Sequence, residues 1–168
     1  MNRLNKQIEF IIEIDKIKEI YRHTSLFGKE RKENDDEHSW HICIIAMVLS
    51  EYANEINIDM LKILKMLLIH DLVEIYAGDY IIYTDKIDEK KKKEIEGAEK
   101  IFNLLPIEQK KEFMLIWKEF EERKTKESKF ANAIDRFEPI LQNYKNSGGT
   151  WNEYKISSIK ILEKNQII

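Results

Sequence analysis

Five glycines and two prolines in 168 residues leave little material for chain reversals. A β-sandwich or barrel needs many of both, so their scarcity directs this chain towards helices. The length suits one domain, spanning residues 1–168, and can bury a core without staples. Hydrophobic residues at 43% and charged residues at 35% exclude a disordered chain. A single cysteine, Cys43, rules out an intramolecular disulfide and a multi-thiolate zinc site, and points to a reducing cytoplasm. No apolar run approaches the ~20 residues that cross a bilayer, so neither a signal peptide nor a membrane anchor is expected. The net charge of −3 argues against binding nucleic-acid polymers through their phosphates. It leaves room for a small anion held by a few local cations.

Apolar periodicity places the helices. Phe10, Ile14, Ile17 and Tyr21 predict a first helix over 5–22. The polar, aperiodic stretch from Thr24 to Asp36 reads as a loop, with Asp35 or Asp36 as the next N-cap. A helix over 37–53 carries Ile42, Ile45 and Leu49 on one face. Asp59 caps a nearly all-apolar helix from Met60 to about Asp71. Val73 to Tyr76 either continues it or restarts it, and Gly78 ends it. Residues 80–85 are a short extended piece or a loop. The Lys90–Lys93 run, flanked by acids, reads as a solvated helix face. Pro106 opens a helix with Phe113, Trp117 and Phe120 on one stripe. A further helix carries Phe130, Ile134, Phe137, Leu141 and Tyr144, and Pro139 predicts a kink in it. Gly148-Gly149 turns the chain into a last helix from Trp151 to Leu162. The expectation is a single-domain, all-α bundle of about seven helices.

The chemistry concentrates in few residues. Of four histidines, His70 stands beside Asp71 at the end of the most apolar helix. An imidazole and a carboxylate are costly there unless paired or bound. Glu74 lies four residues on, sharing the face of His70 if the helix continues, and Asp79 follows Gly78. Such a cluster suits a divalent metal. His38 is the natural second imidazole, and Asp135 is a further acid on an otherwise apolar stretch. Alone, a His-Asp pair is weak evidence, because a lone histidine on an apolar helix is usually a satisfied core residue. His41, one turn after His38, is read as a supporting residue rather than a ligand. Cys43 is read as a small core residue.

Taken in order, Arg31-Lys-Glu-Asn-Asp-Asp-Glu-His38-Ser-Trp-His, then Ile69-His70-Asp71-Leu-Val-Glu74-Ile-Tyr-Ala-Gly-Asp79, then Ala133-Ile-Asp135-Arg136 resembles the HD-domain metal-dependent phosphohydrolases. Within them it is most similar to the small 5′-deoxynucleotidase-like branch. The resemblance implies an HD-domain helical bundle holding one divalent cation on His38, His70, Asp71 and Asp135. It implies Glu74 as general acid/base, Asp79 as a second acid lining the pocket, and Arg22, on the first helix, contacting the substrate phosphate. Arg31 is another candidate phosphate-binding cation. Where several members carry a tryptophan beside the first arginine, this chain has His23, Thr24 and Ser25. Mixed nitrogen and oxygen ligation suits Mn²⁺, Co²⁺, Fe²⁺ or Zn²⁺, with Mg²⁺ admissible. The implied activity is hydrolysis of (deoxy)nucleoside 5′-monophosphates to nucleoside and phosphate by metal-activated water. The alternatives are hydrolysis of a cyclic, tri- or polyphosphorylated nucleotide, or a non-catalytic scaffold that senses a nucleotide or metal. A homodimer is also implied, with the aromatic helices from Phe113 onward as a candidate face.

Overall fold

The computed structural model describes residues 2–83 and 87–165. Thr84 and Asp85, the end of the segment read as extended or loop, lie outside the described residues. Among the described residues the chain forms nine α-helices and one two-stranded hairpin. Helix α1 (Arg3–Ile14) begins at Asn2, whose side chain accepts the Asn5 N–H. It stops earlier than the apolar spacing predicts. A 3-10 turn (Asp15–Glu19) buries Ile17, and the chain then extends into strand β1 (Tyr21–Ser25). Tyr21 is therefore an exposed strand residue, not the last contact of a helix. Strand β2 (Lys32–Asn34) pairs antiparallel with β1, with Tyr21 opposite Asn34 and Ser25 opposite Lys32. The segment read as loop thus holds a hairpin. Its tip is fastened from outside: Asn146 accepts the Gly28 N–H and donates to the Ser25 and Leu26 carbonyls.

Helix α2 (Asp35–Val48) starts one residue before the expected cap. Asn34 accepts the Glu37 N–H, and Glu37 reaches back to the Asn34 N–H. This reciprocal pair satisfies two donors that the helix start leaves open, which a lone Asp35 cannot do. Helix α3 (Met60–Ile69) is capped by Asp59 and packs against α2, α6 (Ile107–Glu122) and α7 (Lys126–Lys145). Ile42, Ala46, Ile63, Met66, Leu67 and Ile134 form one core between them. After Ile69 the α-helix tightens into a 3-10 turn (His70–Val73), then restarts as α4 (Glu74–Ala77) up to Gly78. Ile69, Leu72 and Val73 join a second core with Phe10, Phe102 and Trp117. The His70–Val73 turn therefore sits where the two cores meet.

Helix α5 (Ile87–Phe102) covers α4. Gly97 lies against the Val73 carbonyl, where a Cβ would come within 2.6 Å. The α6 stripe is consumed internally: Trp117 and Phe120 are buried and Phe113 packs on the core, so it offers no free aromatic face. Helix α7 runs unbroken through Pro139. The expected single last helix is two, α8 (Gly149–Glu153) and α9 (Ser158–Asn165). They are separated by Lys155, whose φ of 53° is incompatible with a continuing helix.

Candidate metal centre and active-site cavity

The capping box that starts α2 sets His38 in its first turns, buried and aimed at α7. His38 Nε2 lies 3.0 Å from Asp135 Oδ1. Its Nδ1 faces Glu138 Oε2 at 3.3 Å and Glu33 Oε2 at 3.5 Å. One turn along α2, His41 Nδ1 lies 3.3 Å from Glu138 Oε1. Asp135 and Glu138 are three residues apart on α7, as His38 and His41 are on α2, so facing turns pair acid with imidazole. His41 thus takes a supporting position.

The tightening after Ile69 orients the second imidazole. His70 Nδ1 donates to the Leu67 carbonyl at 2.9 Å, which leaves Nε2 turned into the site. That Nε2 has no hydrogen-bond partner, although Asp71 Oδ1 stands at 3.1 Å and Asp135 Oδ1 at 3.4 Å. The helix does not continue through Glu74 as a shared face with His70 would require, yet the turn still brings both to one cavity. His38, His70 and Asp135 present ligand atoms within 4.8 Å of one another. With Nδ1 committed as a donor, a neutral His70 offers only a lone pair to oxygens that also only accept. A cation must stand there, either a proton on the ring or a metal, so this donor set fits a divalent ion.

The electrostatics agree. Burial works against a charged His70, but Asp71 and Asp135 outweigh it and push the pKa up to about 10. His38 is raised in the same sense: burial and Arg22 oppose the charge, and Asp135, Glu138 and Glu33 overcome them. Burial disfavours ionised Asp135 and Asp71 too. The imidazoles, with Arg22 for Asp71, nevertheless hold both below the usual carboxylate range. Glu74 goes the other way. Fully enclosed, with Asp71, Asp35 and Asp79 nearby, it is raised well above an ordinary glutamate, and Lys90 only partly offsets this. Its Oε2 has no partner.

A cavity of about 1020 Å³ opens over these groups and is lined by Arg22, His70, Asp71, Glu74, Asp79 and Asp135, among others. Arg22 enters from strand β1, not from the first helix. It binds Asp71 Oδ2 at 2.8 Å and Asp35 Oδ1 at 3.0 Å. Asp79 accepts the His23 N–H at 3.1 Å, tying the hairpin to the rim. Arg31 is not brought to the cavity. It forks onto Glu37 on the outer surface, with both bonds at 2.9 Å. Lys90 departs from the solvated-face reading: it lines the cavity and pairs with Glu94, whereas Lys92 stays in solvent. Burial raises the Cys43 thiol to about 11, as suits a core residue. Glu33, Asp35, Glu138 and Lys90 are site residues that spacing did not single out. Only Glu138, three residues after Asp135, carried a local signal.

Comparison with known proteins places this geometry. A Dictyostelium discoideum protein named 5′-deoxynucleotidase HDDC2 is 37% identical over 123 residues, covering 70% of this chain and 64% of that protein. The human protein of the same name is 33% identical over 115 residues, covering 67% of this chain and 54% of its own. The chain thus spans between half and two thirds of these relatives. A crystal structure titled a predicted metal-dependent phosphohydrolase from Magnetospirillum magnetotacticum superposes with a TM-score of 0.91 at 41% identity, over 98% of this chain and 84% of that one. The sequence model described as HD domain matches residues 14–168. With nearly its whole length matched, the chain belongs to the HD domain family.

Proposed function

We propose that this chain is a divalent-metal-dependent phosphohydrolase that releases phosphate from (deoxy)nucleoside 5′-monophosphates. The observation that carries the reading is the convergence of His38, His70 and Asp135 beside an enclosed, proton-retaining Glu74. The 5′-deoxynucleotidase names of the relatives support the substrate class. In this reading His38, His70, Asp71 and Asp135 hold the cation. When bound, it withdraws charge from the phosphoryl group and acidifies water. The remaining roles fall to the chain. Arg22, always charged, exchanges a carboxylate contact for a fork onto phosphate oxygens. Glu74, kept protonated by burial and neighbouring acids, donates its proton to the leaving 5′-oxygen. Asp79 holds the His23 backbone and so the cavity rim. The Leu67 carbonyl and Glu138 fix the ring orientations of His70 and His38.

We extend the reading to a cytoplasmic homodimer. The chain's single cysteine, Cys43, which has no partner for an intramolecular disulfide, supports the compartment. The exposed stripe of Trp40, Ile44, Met47 and Val48 on α2 supports self-association better than the buried α6 aromatics. The test of the activity is phosphate release from a panel of deoxynucleoside and nucleoside monophosphates with Mn²⁺ or Co²⁺, for wild type and Asp71→Ala. Metal-dependent release lost in the variant is expected, and no release from any monoester overturns the proposal.

A further inference from the structure

The cations that line the cavity differ in how they are matched. Its volume of about 1020 Å³ reaches the upper limit of ordinary small-molecule pockets, roughly 300–1,000 Å³. Arg22 is held by Asp35 and Asp71, and Lys90 by Glu94. The residues that α6, α7 and α9 bring to the cavity, with Arg123 that closes α6, include Lys118, Arg123, Arg136 and Lys164, beside Glu121 and Glu122. Among the described residues, none of these four cations forms an ion pair. Arg136 donates to the Lys164 carbonyl, a neutral partner. Arg123 Nε is buried and has no hydrogen-bond partner.

Arg123 also holds an unfavourable backbone conformation. It closes α6 with φ 53° and ψ 33°, a left-handed position that glycine normally takes. Both arginines line the same cavity, where the charge of Arg123 opposes that of Arg136 while Asp135 and Glu121 favour it. Glu121 acts on Arg123 only through space: no ion pair joins them among the described residues, and Arg123 Nε stays without a partner. A buried guanidinium nitrogen that lacks a hydrogen-bond partner is costly. A phosphoryl group removes that cost, because its oxygens match the planar fork of arginine. Asp135 and Arg136 are consecutive on α7 and diverge by about 100°. Asp135 faces the imidazoles while Arg136 faces α9, so one small molecule can reach both.

We infer that Arg123 and Arg136 form an anion subsite that takes a second phosphoryl group of the substrate, making the favoured class a phosphomonoester with another phosphate remote from the scissile one. The phosphohydrolase reading is needed only to name the scissile end. The experiment compares a deoxynucleoside 3′,5′-bisphosphate with the matching 5′-monophosphate. With Mn²⁺, wild type is expected to favour the bisphosphate through KM, and Arg123→Gln or Arg136→Gln to lower that preference about tenfold, the loss of one charge-assisted contact. Arg→Lys at either position is expected to restore only part of it. The same ligands are titrated into the EDTA-treated full-length chain by calorimetry. Tighter bisphosphate binding that depends on Arg123 supports the subsite even if no monoester is hydrolysed. Equal affinity of wild type for the two nucleotides overturns it, whether or not the variants fold. Binding of inorganic phosphate at these arginines without bisphosphate preference overturns the assignment to substrate, since the subsite then holds a free ion.

Discussion

At the scale of single residues, the site is a set of protons held in unusual places. In the metal-free chain the raised pKa values of His38 and His70 keep both rings protonated at neutral pH. A metal ligand must be the neutral ring, so metal uptake at pH 7 expels about two protons. Affinity therefore rises with pH up to about 10, where His70 gives up its proton unaided. Calorimetry in buffers of different ionisation enthalpy measures this, and uptake without proton release contradicts it. Glu74 has the opposite bearing on rate. Its carboxyl is raised well above the ordinary glutamate range by burial and neighbouring acids, so in the proposed role its proton is lost at a higher pH than a free carboxyl's. Glu74→Gln is expected to lower kcat about 10²–10⁴-fold and to remove this part of the alkaline decline, with metal affinity kept. Cys43, raised to about 11, should resist alkylation at pH 8 in the folded chain and react on unfolding. The residue types of this centre were visible in the sequence. The carboxylates behind His38 were not, because Glu33 on β2 and Glu138 on α7 meet at His38 only after the hairpin and α2 have packed against α7.

At the scale of elements, the decisive piece is the turn from His70 to Val73. Its geometry depends on α5, where Gly97 lets the helix approach the Val73 carbonyl. Gly97→Ala improves helix propensity by about 1 kcal/mol. Overpacking against backbone costs typically 1–3 kcal/mol. A net loss of stability is therefore expected, with a larger loss of activity, because Val73 lies between Asp71 and Glu74. Urea unfolding and kcat measured together check this, and a stabilised, fully active variant refutes it. Gly97 was not singled out in the sequence, and its close approach to Val73 appears only once α5 has packed on α4. The β1–β2 hairpin was not legible either. Apolar spacing carried the helix reading through Tyr21. Non-local bonds from Arg22 to Asp35 and Asp71, and from Asn146 to the tip, overrode it.

At the scale of the whole molecule, the proposed metal centre couples binding to folding, because His38, His70, Asp71 and Asp135 come from α2, the His70–Val73 turn and α7. A ligand at 100-fold its Kd adds about 2.7 kcal/mol, which for a chain this size raises Tm by roughly 5–10 °C. Mn²⁺ or Co²⁺ should produce that shift in wild type and much less in Asp71→Ala. Differential scanning fluorimetry reads it, and equal shifts in both contradict Asp71 as a ligand. Light scattering tests assembly: a dimer is expected, with Trp40→Glu plus Val48→Glu driving it to monomer.

The sequence alone determined the helical class, the positions of α3, α6 and α7, and the residue types of the metal centre. The first two follow from local periodicity and scarce chain breakers, short-range properties of the chain, and the last from the resemblance carried by an ordered set of motifs. The tertiary structure decided that Arg22 enters from a strand and that Arg31 faces outward onto Glu37. It decided too that Lys90 lines the cavity while Lys92 stays in solvent. The reason is physical. Where a long charged side chain ends is set by which opposite charge lies within reach after the helices have packed. That partner is usually many residues away in sequence.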